Sequence, residues 1–214
     1  AVGAGTATIT VSFAGNKNYK AAESKTLTVT VIVPSKTIYV NATANQGGDG
    51  NQTTPFQTLQ DALDIAGDGD TIMIASGTYT GENNTDLTID KKLSFEKYGD
   101  GEAILDAQEQ NGMFTVTAAT INITGLTFKN GKRTIDGGAI YIQNDLSNSI
   151  ITSTFIDNTV TGANILGGAI YFGGKADNVN IYGKFINNTA DTFKNSYGGA
   201  IAFYRDVSNS IINA

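Results

Sequence analysis

The chain reads as an all-β protein: a coil of stacked parallel strands entered through one short helix, preceded by two strands of a separate sandwich-type unit. Three observations predict this. Gly-Gly-Ala-Ile occurs at 137–140, 167–170 and 198–201, with starts 30 and 31 residues apart. Phe128, Phe155 and Phe185 keep step with it, each followed by an Asn-bearing turn: Lys129-Asn130-Gly131, Ile156-Asp157-Asn158 and Ile186-Asn187-Asn188. Self-similarity at such a period marks an architecture in which each repeat packs only on its neighbours. Between the motifs lie short β-rich runs split by Gly, Asn and Asp, with no long helical pattern to connect strands as a doubly wound α/β fold requires.

Taken in order, residues 1–33 hold two runs of strict alternation, Thr8-Ile9-Thr10-Val11-Ser12-Phe13 and Thr26-Leu27-Thr28-Val29-Thr30-Val31, joined by the turn-rich Gly15-Asn16-Lys17-Asn18-Tyr19. Two strands alone cannot bury a core in water, so they predict the tail of a sandwich or a hairpin packed on the coil. Pro34-Ser35-Lys36 reads as a linker. Thr37-Ile38-Tyr39-Val40 opens the coil, and the polar loop Asn45-Gln46-Gly47-Gly48-Asp49-Gly50-Asn51 comes next. Thr54, Pro55 and Gln57 look like an N-cap, first helical residue and capping box, and Leu59, Ala62, Leu63 and Ala66 form a helical stripe. We therefore expect a helix over 56–66 that caps the first coil and shields its strand edges. Beyond Gly67-Asp68-Gly69-Asp70 the strands resume and continue to the end.

Stacking one coil per repeat, about 4.8 Å apart, sets like residue on like. Ile140, Ile170 and Ile201 then form one buried column and Phe128, Phe155 and Phe185 another, while Asn158 and Asn188 are placed for an amide ladder. Gly-Gly before each Ile permits a corner that a β-carbon would obstruct.

Composition narrows the chemistry. The 214 residues carry 14 basic and 20 acidic side chains, net −6, without a Lys/Arg run, which removes the electrostatic footprint for nucleic acid and disfavours an anionic membrane surface. There is no Cys, so disulfides and thiolate metal sites are out, and no His, so the Ser-His-Asp route is out. No apolar stretch approaches the roughly 18 residues of a membrane span. The chain opens at Ala1-Val2-Gly3 and ends at Ile211-Ile212-Asn213-Ala214 inside what reads as another repeat, so we expect a piece of a longer polypeptide.

The residues also carry a resemblance. Pro55-Phe56-Gln57-Thr58-Leu59-Gln60-Asp61-Ala62-Leu63, continuing through Gly69-Asp70-Thr71-Ile72-Met73-Ile74 to Gly77-Thr78-Tyr79-Thr80, looks like the N-terminal cap and first turn of pectin-lyase-like right-handed β-helices. Ile121-Asn122-Ile123-Thr124-Gly125-Leu126-Thr127-Phe128 resembles an inner turn of the same superfamily. The pairing of Gly-Gly-Ala-Ile with Phe-x-x-Asn resembles the repeats of polymorphic outer-membrane adhesins; the Phe155/Asn158 and Phe185/Asn188 copies fit, whereas Phe128 is followed by Gly131 at the Asn position. The run from Gly5 to Tyr19 is similar to the end of a bacterial immunoglobulin-like domain. Together these most resemble archaeal (methanogen) adhesin-like surface proteins.

The resemblance implies an Ig-like tail at 1–33, a linker at 34–36 and a right-handed parallel β-helix at 37–214 that runs on beyond the last residue. It implies a non-catalytic, extracellular cell-surface adhesin without cofactor, whose partner is a glycan or surface protein of another cell. A polysaccharide lyase, esterase or hydrolase of the pectin-lyase-like superfamily is the runner-up, and a structural stalk of the cell envelope is a third reading, since one fold hosts many functions.

If Ile140, Ile170 and Ile201 point inward, Tyr141 and Tyr171 point outward, and Tyr204 lies two residues beyond the third equivalent, Ala202. Stacked tyrosines suit sugar rings or a protein partner, so Tyr141, Tyr171 and Tyr204 are the candidate ligand-binding residues. Hydrolysis would need paired carboxylates, and the resemblance implies for lyase action an arginine beside calcium-binding acids. Asp106, Asp136 and Asp157 are the acids and Arg133 and Arg205 the arginines, but turn chemistry accounts for the acids and we assign no catalytic residue. Oxygen sets at Asn45/Asp49/Asn51 and Asp68/Asp70 match no calcium loop, so no metal is assigned. Asn41, Asn51, Asn83, Asn122 and Asn187 head glycosylation sequons, of which Asn122, in a predicted strand, is the weakest.

Overall fold

Two units make up the chain, Ala1–Ser35 and Lys36–Ala214. The computed structural model describes residues 5–31, 34–163, 165–192 and 198–214. In the first unit β1 (Gly5–Phe13) pairs antiparallel with β2 (Ala22–Val31), from Gly5 opposite Val31 to Phe13 opposite Ala22. Alternation sorts the side chains by face. Ile9, Val11, Phe13, Leu27, Val29 and Val31 share one face, all exposed, and threonines fill the other.

The second unit is a parallel β-helix of about five turns. It begins with β3 (Thr37–Val40) and α1 (Leu59–Ile65). Then come β4 (Thr71–Tyr79), β5 (Leu87–Ile89), β6 (Leu93–Asp106) and β7 (Phe114–Val116). The repeats proper supply β8 (Ile121–Lys129), β9 (Lys132–Arg133) and β10 (Ile140–Ile142); β11 (Leu146–Ile156), β12 (Thr159–Gly162) and β13 (Ile170–Phe172); and β14 (Ala176–Ile186), β15 (Thr189–Thr192) and β16 (Ile201–Phe203). Short β17 (Val207–Ser208) and β18 (Ile211–Asn213) lie against β14. The strands form three sheets: a long one from β3 to β17, a five-stranded one in the order β5-β7-β10-β13-β16, and a three-stranded one, β9-β12-β15. Every named strand pair in this unit is parallel.

The register sets the columns. Ile140 pairs with Ile170 and Ile170 with Ile201, while Phe155 pairs with both Phe128 and Phe185. The Phe128 and Phe155 rings stack at 5.1 Å and 8°, and Phe155 and Phe185 at 4.9 Å and 9°. Burying one such ring stabilises by about 1.5–3 kcal/mol, and an aromatic pair adds about 0.5–1.5.

The two glycines of each corner do different work. The first holds a left-handed φ of 73°, 70° and 67° at Gly137, Gly167 and Gly198. The second sits where adjacent coils touch: a β-carbon on Gly138 would lie 2.2 Å from the carbonyl oxygen of Gly168.

The amide ladder forms. Asn158, fully buried, donates to the Phe128 carbonyl at 3.0 Å and to Asn188 Oδ1 at 2.9 Å, and accepts the Gly131 N–H at 2.8 Å. That contact explains the missing Asn at 131. A side chain there would come 2.3 Å from the Gly138 carbonyl, so the ladder ends on a backbone N–H instead.

The helix differs from expectation. It starts after Thr58, whose hydroxyl accepts the Asp61 N–H, rather than at 56 after a Thr54 cap. The reason is upstream pairing. Phe56 bridges Val40 in parallel fashion and its N–H bonds the Tyr39 carbonyl, holding the chain extended, while Thr54 bonds Asp49. The stripe Leu59, Ala62, Leu63 and Ala66 is buried against the coil. Several short strands of the sequence also merge: 93–95 and 103–105 are one element, β6, with an irregularity where Glu96 and Ala103 pair with β8. Among the described residues no helix is long and apolar enough to cross a membrane.

Candidate functional site

The outer face of the five-stranded sheet carries the candidate tyrosines. Thr115, Tyr141, Tyr171 and Ala202 follow one another across β7, β10, β13 and β16. Tyr141 and Tyr171 stack with centroids 5.7 Å apart and planes 28° from parallel. Tyr141 is half-buried and Tyr204, just past β16, is 65% exposed. Tyr171 departs from expectation, since only 6% of it meets solvent. Period 2 decides which side of a strand a residue takes, not what covers that side. Tyr141 packs against the Tyr171 ring, and burial together with the nearby Asp136 and tyrosines pushes the Tyr171 phenol up to about 12, opposed by Arg205. The aromatic surface that meets solvent is therefore a half-buried Tyr141 and an exposed Tyr204, with Tyr171 covered. The Arg205 guanidinium lies 5.6 Å from the Tyr204 ring centroid. Arg205 also lines a trough of about 500 Å³ with Gln143, Asn144 and Asp145, at the corner that follows β10.

Arg133 lies at the other border of this face. It is 7% exposed, donates to Thr115 Oγ1 at 3.0 Å, and sits 3.7 Å from Asp86. Its Nε and second terminal nitrogen have no hydrogen-bond partner among the described residues. Desolvation lowers its pKa, partly offset by Asp86 and Tyr141. The guanidinium packs against Gly112, where a β-carbon would fall 1.9 Å from Nε. Nothing in the sequence spacing joins Asp86, Gly112 and Thr115 to Arg133; the coil does.

The candidate acids are engaged by backbone and turn partners. Asp136 accepts the Leu166 N–H from the next coil at 2.6 Å, and burial raises its pKa. Asp106 takes the Gln108 N–H and the Asn130 amide, each at 2.9 Å. Asp157 occupies a left-handed turn position, φ 54°, and accepts the Asn187 amide at 3.2 Å. Asp70, 4% exposed, receives the Lys36 and Gly67 N–H groups, both at 2.8 Å, and Asp68 receives that of Lys92. Asp49 receives the Thr54 hydroxyl and the Asn51 N–H and side-chain amide, which hold its carboxyl below the usual range. These oxygens thus face hydrogen-bond donors. Of the sequon asparagines, Asn51, Asn83 and Asn187 are exposed, Asn41 is half-buried, and Asn122 points outward yet accepts the Ile150 N–H.

No protein-family model and no curated protein matches the chain. Among solved structures it is similar to a rhamnogalacturonan lyase at 15% identity and a TM-score of 0.44, over 83% of this chain. The match spans 62% of that chain's length, and no residue role is transferred from it.

Proposed function

We propose that the protein is a non-catalytic, adhesin-like cell-surface protein whose β-helix presents an extended face to glycans or proteins of another cell. One observation carries the reading: beside the Tyr141–Tyr171 stack an exposed Tyr204 stands just past β16, next to Arg205, which lines a polar trough. Aromatic rings beside amides and a cation offer stacking and hydrogen bonding together, which suits sugars and protein side chains. A glycan array probed with the protein and with a Tyr141→Ala/Tyr204→Ala variant tests it. Binding that disappears in the variant supports the reading. Binding that persists moves the site elsewhere, and absence of binding to every glycan removes the glycan form.

The runner-up is a polysaccharide-active enzyme. Its supporting observation is the Arg133–Asp86 pair, which reaches across the coil that carries Gly112 and Thr115 and sets a basic group beside an acidic one. Release of reducing ends from a panel of acidic and neutral polysaccharides, lost in Arg133→Met, would replace the adhesin reading with this one.

A further inference from the structure

At the start of the β-helix, loop 41–55 is an excursion with both ends fixed. The Phe56 N–H bonds the Tyr39 carbonyl at 2.9 Å, and the Asn41 N–H bonds the Phe56 carbonyl at 2.8 Å. Within it Asp49 is the hub. Besides its side-chain bonds to Asn51 and Thr54, its N–H and that of Gly50 share the Thr54 carbonyl at 3.0 and 3.1 Å. Gly48 packs so closely on Pro55 that a β-carbon would lie 2.1 Å from its carbonyl oxygen. Asn41 closes an Asx turn by accepting the Thr43 N–H at 3.0 Å. The loop is thus ordered by its own backbone and by one carboxylate that gathers three donors. Such an arrangement lowers the ordering that a ligand would otherwise have to impose.

What the loop encloses is chemically distinctive. Together with Tyr98 it bounds a cavity of about 460 Å³, within the range of small-molecule clefts. The Tyr98 ring is fixed edge-on against Tyr39, centroids 5.5 Å apart and planes at 89°. Asn45, Gln46, Gln52 and Thr53 line the same cavity and are exposed. Among the described residues no Asp, Glu, Lys or Arg lines it. An amide presents a donor and an acceptor side by side, matching the paired donor and acceptor of a vicinal diol. An aromatic ring suits the apolar face of a pyranose. The lack of counter-charge makes a buried carboxylate or ammonium unfavourable.

We infer that loop 41–55 and Tyr98 form a binding site for a neutral saccharide, separate from the tyrosine strip on the five-stranded sheet. The site stands whether or not the strip binds anything. Because Asn41 and Asn51 head sequons within the loop, protein from a host without N-glycosylation keeps the cavity clear.

The test titrates the ¹⁵N-labelled 214-residue chain with the methyl glycosides of glucose, galactose, mannose and N-acetylglucosamine, and with methyl glucuronide as charged counterpart. At least one neutral glycoside is expected to shift the amides of Gln46, Gly47, Gly48, Gln52 and Thr53. Tyr98→Ala and Asn45→Ala/Gln52→Ala should each weaken binding about tenfold or more, as loss of a stacking ring or of two hydrogen bonds implies. Tyr98→Phe, which keeps the ring, should retain binding and the wild-type spectrum elsewhere. Tyr204→Ala should leave this titration unchanged, separating the two sites. The inference fails if no neutral glycoside moves these amides at millimolar concentration. It also fails if the glucuronide binds as well, if Tyr98→Ala binds as wild type, or if the shifts centre on 141, 171 and 204.

Discussion

Asn158→Ala is the sharpest probe of what holds the coils together. Its carboxamide is fully buried and makes three hydrogen bonds between 2.8 and 3.0 Å, to the Phe128 carbonyl, the Asn188 carboxamide and the Gly131 N–H. Alanine strips the Gly131 N–H and Phe128 carbonyl of these partners, whereas Asn188 Oδ1 keeps the backbone N–H of residue 158 at 3.1 Å. Each orphaned buried group costs about 1–3 kcal/mol, so the loss should be about 4 kcal/mol, less if water enters the vacated space. For a chain of this size each kcal/mol moves Tm by about 2–4 °C, which gives a fall on the order of 10 °C. Far-UV circular dichroism and tyrosine fluorescence should be followed in parallel, because coincident transitions are the check that one free energy describes a repeat protein. Asn144→Ala is the reference: it removes one exposed bond, to the Thr117 carbonyl at 3.0 Å, and should cost about 0.5 kcal/mol or less. If Asn158→Ala falls within about 1 kcal/mol of Asn144→Ala, the ladder is not a principal tie between coils and the reasoning is refuted.

Three further outcomes are expected of the same structure. Gly168→Ala should cost about 3 kcal/mol or more in urea denaturation, since its β-carbon would lie 2.3 Å from the Gly199 carbonyl oxygen; Gly47→Ala, at φ 83° with no atom within 4 Å, should cost only about 1 kcal/mol. Gly112→Ala should destabilise wild type markedly but the Arg133→Met background much less, a coupling of about 1 kcal/mol or more by double-mutant cycle, because the clash is with the guanidinium. Asp136 has a folded pKa above its usual 3.8, so the unfolded chain releases this proton first and the stability due to the group declines as pH rises from there through the folded value. Asp136→Asn keeps an acceptor for the Leu166 N–H, so it should match wild type near pH 3 and exceed it in Tm at pH 7.

Sequence revealed most where repetition makes one residue answer for several. Ile140, Ile170 and Ile201 could be stacked on paper because the coil offers each the same neighbours, and the register does stack them. The Asn158–Asn188 ladder was legible for the same reason. The helix start was not, because Thr54 and Pro55 carry valid cap chemistry that a local reading cannot weigh against the Val40–Phe56 bridge. Tyr171 was placed on the outer face, but its burial depends on Tyr141 and the residues beyond β13, which no periodicity encodes. Arg133 shows the limit from the other side. Its partners come from residues 86, 112 and 115, on segments outside the Gly-Gly-Ala-Ile repeats.

That contrast bears on where function resides in such a chain. A position that repeats from coil to coil is held by stacking: Asn, Phe, Ile and Gly there are fixed by the copies above and below. The candidate ligand residues other than the stacked Tyr141–Tyr171 pair break the repeat or sit outside it. Tyr204 stands exposed just past β16, where the register gives the tyrosine column Ala202, and Arg205 lines the trough. Loop 41–55 is an excursion from the coil that commits its charged residue, Asp49, to Asn51 and Thr54 of the same loop while leaving neutral amides outward. Loop 41–55 and the Tyr204–Arg205 end of the tyrosine strip are both departures from periodicity. Substitutions on the columns should therefore be read out as stability, and those on Tyr204 or Gln52 as binding with Tm unchanged; a Gln52→Ala variant that unfolds early would contradict this division.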